Sequence, residues 1–127
     1  MSTMFGWGVG DILAISQLAM KVSAAYKDAP NDYKHLSDEV SSLEVIINRA
    51  VQCFQRTTLS DKDQQDGQNV LKGCQSVLED LNSLIDNYTS SKTRQAFKKV
   101  MLESDDIGAL RVRLISNTGL LNGFIQR

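Results

Sequence analysis

Apolar residues return every three or four positions along most of this chain, the spacing that gathers them on one face of an α-helix. The first stripe is Ile12, Ile15, Ala19 and Val22, which predicts a helix from about Gly10 to Lys27. Leu13, Leu18 and Met20 fall partly off that stripe, so this helix is apolar around much of its circumference. Asp11 lies in its first turn, where a carboxylate favours the positive end of the helix dipole. Pro30 pushes the residue before it out of helical geometry and makes Lys27–Asp32 a loop. A second stripe of Leu36, Val40, Leu43, Ile47, Ala50 and Phe54 predicts a helix to about Arg56, starting at Asn31 or Asp32, either of which can cap.

Thr57-Thr58-Leu59 reads as a short turn, with Ser60 as N-cap and Asp63 in the place of the capping-box acid. The third helix then runs to about Tyr88. Its buried side is Val70, Leu71, Cys74, Val77, Leu78, Leu81, Leu84, Ile85 and Tyr88. Gly67 and Gly73 each cost this helix about 1 kcal/mol relative to Ala, and so suggest close helix contact. Thr89-Ser90-Ser91 is expected to break it, and residues 92–101 form a short extra helix or a loop. Ser104 can cap a last helix whose apolar face is Ile107, Leu110, Leu114, Leu121, Phe124 and Ile125. No stretch alternates as a strand would, and no repeat stands out. The pattern predicts one all-α domain over residues 1–127, an up-and-down four-helix bundle with short links.

Composition narrows the function classes. Lys plus Arg is 14, Asp plus Glu is 15, and the net charge of −1 lacks the basic excess of a general nucleic-acid binder. One His and two Cys cannot supply a zinc cluster, and no metal or cofactor is expected. In an antiparallel hairpin turning near Leu59, Cys74 lies roughly 15 Å along the axis from the point facing Cys53. A disulfide allows Cα atoms to be about 7 Å apart, so both thiols are expected to be free. The N-terminus has no basic residue before its apolar run, unlike a secretory signal, which points to the reducing cytosol. Asn87-Tyr88-Thr89 is then a chance glycosylation match.

Two candidate chemistries fail on spacing. Gly6-Trp7-Gly8-Val9-Gly10 is G-x-G-x-G, with no strand before it and no Lys-Ser or Lys-Thr after it, so it is not a phosphate loop. His35 stands beside Asp38 and Glu39 as a surface histidine. No serine or cysteine joins it in a catalytic grouping, and no enzyme signature is present.

Two features remain. Met4 to Met20 contains Met4, Phe5, Trp7, Val9, Ile12, Leu13 and Ile15, and Asp11 is its one charge. One reading is a core helix with an apolar leader packed on the bundle. The other is a membrane-entering segment near the lower limit of the ~17–25 residues that span a bilayer. Trp7 and Phe5 suit an interface. Asp11 is the obstacle, since a mid-membrane carboxylate costs about 2.5–3.5 kcal/mol unless assembled copies turn it to a wet lumen. The second feature is Lys92-Thr93-Arg94-Gln95-Ala96-Phe97-Lys98-Lys99. Lys92, Arg94, Lys98 and Lys99 are either a solvated face or a docking patch for an anionic leaflet, at about 1 kcal/mol each.

The opening Phe5-Gly6-Trp7-Gly8-Val9-Gly10-Asp11-Ile12-Leu13-Ala14, the helix end Ala25-Tyr26-Lys27-Asp28-Ala29-Pro30 and the stretch Tyr33–Leu43 resemble the HeLo-like N-terminal domain of fungal STAND and NOD-like proteins. Leu71-Lys72-Gly73-Cys74 and Leu78-Glu79-Asp80-Leu81 continue the likeness, which covers essentially the whole chain. The resemblance implies a helical cell-death execution domain of fungal incompatibility and immunity that acts without catalysis. Its architecture is similar to the membrane-disrupting bundle of animal necroptosis pseudokinases. It implies a membrane-targeting segment from Met1 to about Met20, with Asp11 at the rim or lumen of a homo-oligomer. It also implies an upstream STAND receptor or amyloid-motif partner, and movement from cytoplasm to plasma membrane on activation. A different class fits the same residues: a non-lytic helical adaptor whose apolar leader is an interface.

Overall fold

The structure is a computed structural model that describes residues 9–28, 34–56, 59–91 and 106–126. It contains α1 (Val9–Lys27), α2 (Lys34–Arg56), α3 (Asp61–Ser91) and α4 (Asp106–Ile125), with no strand among the described residues. The predicted four-helix bundle is what forms. Ser60 caps α3 as expected: its Oγ accepts the Asp63 amide at 3.2 Å, and its carbonyl accepts the Gln64 amide at 2.9 Å. Helix α3 continues through the predicted break to Ser91. Three polar residues without Gly or Pro weaken a helix but remove none of its backbone hydrogen bonds. The expected caps at Asn31, Asp32 and Ser104, the Pro30 loop and the 92–101 segment lie outside the described residues.

The predicted stripes are the core. Ile12, Ile15, Ala19 and Val22 of α1 are buried, as are Leu36, Val40, Leu43, Ile47 and Ala50 of α2. Leu71, Cys74, Val77, Leu78 and Leu81 of α3 meet Leu110, Leu114 and Leu121 of α4. Each large aliphatic side chain buried this way contributes about 1.5–3 kcal/mol. Both cysteines are free, Cys74 buried and Cys53 half-buried.

The order of helices around the bundle is not the order along the chain. The pairs that pack are α1–α2, α2–α4, α4–α3 and α3–α1, so α2 and α3 lie across one diagonal and α1 and α4 across the other. Directions still alternate. Ser16 meets Asn48 and Ser23 meets Ser41, so α1 and α2 are antiparallel. Arg113 meets Asp80, and Asn117 meets Gly73, so α3 and α4 are antiparallel too. Glu39 meets Arg111, and Phe54 stacks on Phe124, so α2 and α4 run parallel. The bundle is two antiparallel hairpins, α1–α2 and α3–α4, laid side by side.

Both glycines of α3 mark close approach, as their helix cost suggested. A Cβ on Gly67 would lie 2.8 Å from the rings of Phe54 and Phe124. A Cβ on Gly73 would collide with the Asn117 amide. Phe54 and Phe124, with ring centroids 6.1 Å apart, therefore rest on the backbone of α3 where α2, α3 and α4 converge.

Candidate membrane-interaction site

The described part of the predicted membrane-entering segment, residues 9–20, forms the first turns of α1. The inner face of α1 is apolar apart from Ser16 and Ser23, and its outer face mixes large apolar side chains with Asp11, Gln17, Lys21 and Lys27. Ile12 and Ile15 are buried at 3% and 2% exposure, while Leu13 at 44% and Met20 at 55% stand in solvent. Asp11 is exposed near the start of the helix, and Lys21 and Lys27 are its other charges. Met4, Phe5 and Trp7 lie outside the described residues. Val9 begins the helix, and its side chain lies outside the described part. Lys92, Arg94, Lys98 and Lys99 also lie outside the described residues. Among the described residues no helix is long and apolar enough to cross a membrane, and no group of three or more His, Cys, Asp or Glu could hold a metal ion.

A polar seam ties α1 to α2. Ser16 Oγ donates to Asn48 Oδ1 at 2.8 Å, and the Ser23 and Ser41 hydroxyls are 2.6 Å apart. Ser37 Oγ donates to the Ser23 carbonyl at 3.0 Å. Ser16, Ser23 and Ser37 are all buried. They recur on the apolar stripes: Ser16 and Ser23 are two turns apart on α1, and Ser37 and Ser41 are one turn apart on α2. Small side chains let these helices approach closely, and each hydroxyl finds a partner across the pair: Ser41 for Ser23, the Asn48 amide oxygen for Ser16 and the Ser23 carbonyl for Ser37. Stranding any of them costs about 1–3 kcal/mol. A lone serine in a helix is unremarkable, so spacing alone does not single these residues out. The signal lay in their shared face with Ile12, Ala19 and Val40.

Helix α1 is tied to α3 by Tyr26. This side chain is fully buried, and its hydroxyl donates to the Leu81 carbonyl at 3.0 Å. Burial pushes the phenol well above its ordinary range. It also pushes the Cys74 thiol up to about 12, against a backbone hydrogen bond that lowers it. Cys74 is therefore a core thiol, not a reactive one.

A second exposed apolar surface, not anticipated from the sequence, lies on α4. Val112, Ile115 and Leu120 are 66%, 51% and 59% exposed. No charge occurs from Leu114 to Gln126. Gly108, Gly119 and Gly123 face open space. The charges that α4 does carry beside this face are engaged. Arg111 Nε meets Glu39 at 2.9 Å, and Arg113 reaches Asp80 at 2.7 Å and Ser76 at 3.1 Å. A groove of about 350 Å³ lies between α4 and α2, lined by Ser42, Val45, Ile46 and Arg49 of α2 and by Thr118, Gly119 and Asn122 of α4.

Comparison of the chain with protein-family models, curated proteins and solved structures finds no match, so the functional reading rests on these residues and on the resemblance noted above.

Proposed function

We propose that this domain is a membrane-disrupting execution module of the HeLo-like kind, held as a closed bundle until copies are clustered. The observation that supports this reading most is the two-sided apolar character of α1. Its inner face carries Ile12 and Ile15, and its outer face carries Leu13 and Met20 among Asp11, Gln17, Lys21 and Lys27, so large apolar side chains on both sides are available to lipid once the bundle opens. The apolar leader with Met4, Phe5 and Trp7 extends it. Asp11, near the helix start, would sit at the rim or in the lumen of an assembly. Lys92, Arg94, Lys98 and Lys99 would meet an anionic leaflet. The upstream partner would be a STAND receptor or an amyloid-motif protein, the resting form cytoplasmic and the active form at the plasma membrane. No step requires catalysis or a cofactor. Clustering matters because a single amphipathic anchor binds only marginally, while linked copies gain avidity.

The test is dye release from anionic liposomes by the chain fused to an inducible oligomeriser, with and without residues 1–8. Removal of all of α1 would be uninformative, because Ile12, Ile15, Ala19, Val22 and Tyr26 are core residues. Leakage on clustering that falls when residues 1–8 are removed supports the reading. A clustered protein that stays in the supernatant and releases no dye contradicts it. That outcome would favour the adaptor reading, for which the uncharged outer face of α4, with Val112, Ile115 and Leu120, is the specific observation.

A further inference from the structure

We infer that the bundle opens between its two hairpins, α1–α2 moving as a unit away from α3–α4, and not by release of α1 alone. The inference rests on the membrane-disrupting reading for its purpose, but its argument is internal to the fold. Helix α1 packs more extensively against α2 than any other pair of helices does. Parting the hairpins breaks less helix–helix packing than pulling α1 out by itself.

The hydrogen bonds are divided in the same way. Ser16–Asn48, Ser23–Ser41 and Ser37–Ser23 lie within the first hairpin. Arg113–Asp80, Arg113–Ser76 and Cys74–Asn117 lie within the second. The interactions that cross between hairpins include the Tyr26–Leu81 bond, the Phe54–Phe124 stack and the Glu39–Arg111 ion pair, whose arginine and glutamate side chains are 49% and 21% exposed. An ion pair with its arginine in solvent contributes little. Release of α1 alone strands the serine seam on both helices, whereas movement of the hairpin carries the seam along intact. A buried polar group without a partner is the more expensive outcome in lipid, where water cannot replace the lost bond. The moving unit would offer a membrane the joined apolar faces of α1 and α2.

The experiment locks one interface at a time in the full chain, with Cys53→Ser throughout and Cys74 kept as a buried reporter. Ser23→Cys with Ser41→Cys joins α1 to α2 by a disulfide where the two hydroxyls are 2.6 Å apart. Ser16→Cys with Asn48→Cys is the alternative if the first pair misfolds. Glu39→Cys with Arg111→Cys, bridged by a short bismaleimide, joins α2 to α4. Two quantities are read: alkylation of Cys74 in native buffer, and dye release on clustering. Locking α1 to α2 should leave both within about twofold, and locking α2 to α4 should slow both at least about tenfold. A drop on locking α1 to α2, or no drop on locking α2 to α4, overturns the inference. Cys74 alkylation needs no membrane. A protein that shows the expected alkylation pattern but never leaks vesicles would keep the inference and lose the membrane reading.

Discussion

The two diagonals of this bundle are built from different kinds of helix. On one diagonal, α2 and α3 are strongly amphipathic, with one apolar stripe and a charged, solvated back. On the other, α1 and α4 have little polarity difference between their faces, and each exposes large apolar side chains. A helix with apolar residues around much of its circumference is usually covered on more than one side. Leu13 and Met20 on α1, and Val112, Ile115 and Leu120 on α4, are not covered, and they stand among charged and polar neighbours such as Lys21 and Arg111. The difference teaches that α2 and α3 are complete as parts of a closed bundle, whereas α1 and α4 carry apolar surface that the bundle does not use. Folding explains the first pair, and function has to explain the second.

The largest contrast should appear in the core of an amphipathic helix. Ile47→Ala on α2 removes a fully buried side chain and should cost about 2–5 kcal/mol in urea unfolding. Leu13→Ala on the outer face of α1 should change stability by less than about 0.5 kcal/mol. Equal costs would erase the distinction between the two diagonals.

Glycines sharpen it next. Gly67→Ala on α3 drives a methyl into Phe54 and Phe124 and should destabilise by about 1–3 kcal/mol, despite alanine's better helix propensity. Gly119→Ala and Gly123→Ala on α4 meet nothing and should each stabilise by about 0.8–1.0 kcal/mol. A thermal melt that ranks these three variants otherwise would show the packing around α4 to be wrong.

A smaller effect is expected from Tyr26→Phe, about 0.5–1.5 kcal/mol for the loss of the bond to Leu81. Alkali should reveal the two buried groups of raised pKa. Burial pushes the Cys74 thiol from the ordinary 9.0 of an exposed thiol up to about 12 in the folded state. Its contribution is thus complete below pH 9 and lost as pH rises toward 12. Tyr26 adds to the same alkaline decline. Cys74→Ala should flatten the part of the stability profile that begins near pH 9, and an unchanged slope would show that the thiol is not held neutral by the core.

The sequence made the helices and the core legible because the same residues serve both. Ile12, Leu36, Leu43, Leu78 and Leu114 repeat at helical spacing and are buried for that reason. The Ser60 cap was legible because its side chain acts on its own backbone neighbours. The order of helices around the bundle was not, since a short link says only that α2 and α3 meet at one end. The serine seam and the exposed face of α4 were also missed. Ser23 and Ser41 gain meaning only once α1 and α2 are paired. Val112, Ile115 and Leu120 fall off the predicted stripe of the last helix, and whether another helix covers them is decided only by the packing partners of α4. Within the candidate site, Ile12 and Ile15 proved to be core in the closed bundle and Leu13 surface. Periodicity could separate those faces, but not what each is for.

The most direct test of the central claim, that α1 and not α4 carries the membrane activity, compares charged variants of their outer faces. Each variant is clustered on anionic liposomes at matched folded fraction. Leu13→Asp with Met20→Asp should reduce dye release at least about tenfold, because a carboxylate carried into the bilayer costs about 2.5–3.5 kcal/mol, while Val112→Asp with Ile115→Asp should leave it within about twofold. Undiminished release by the α1 pair, or loss of release with the α4 pair alone, would contradict the account.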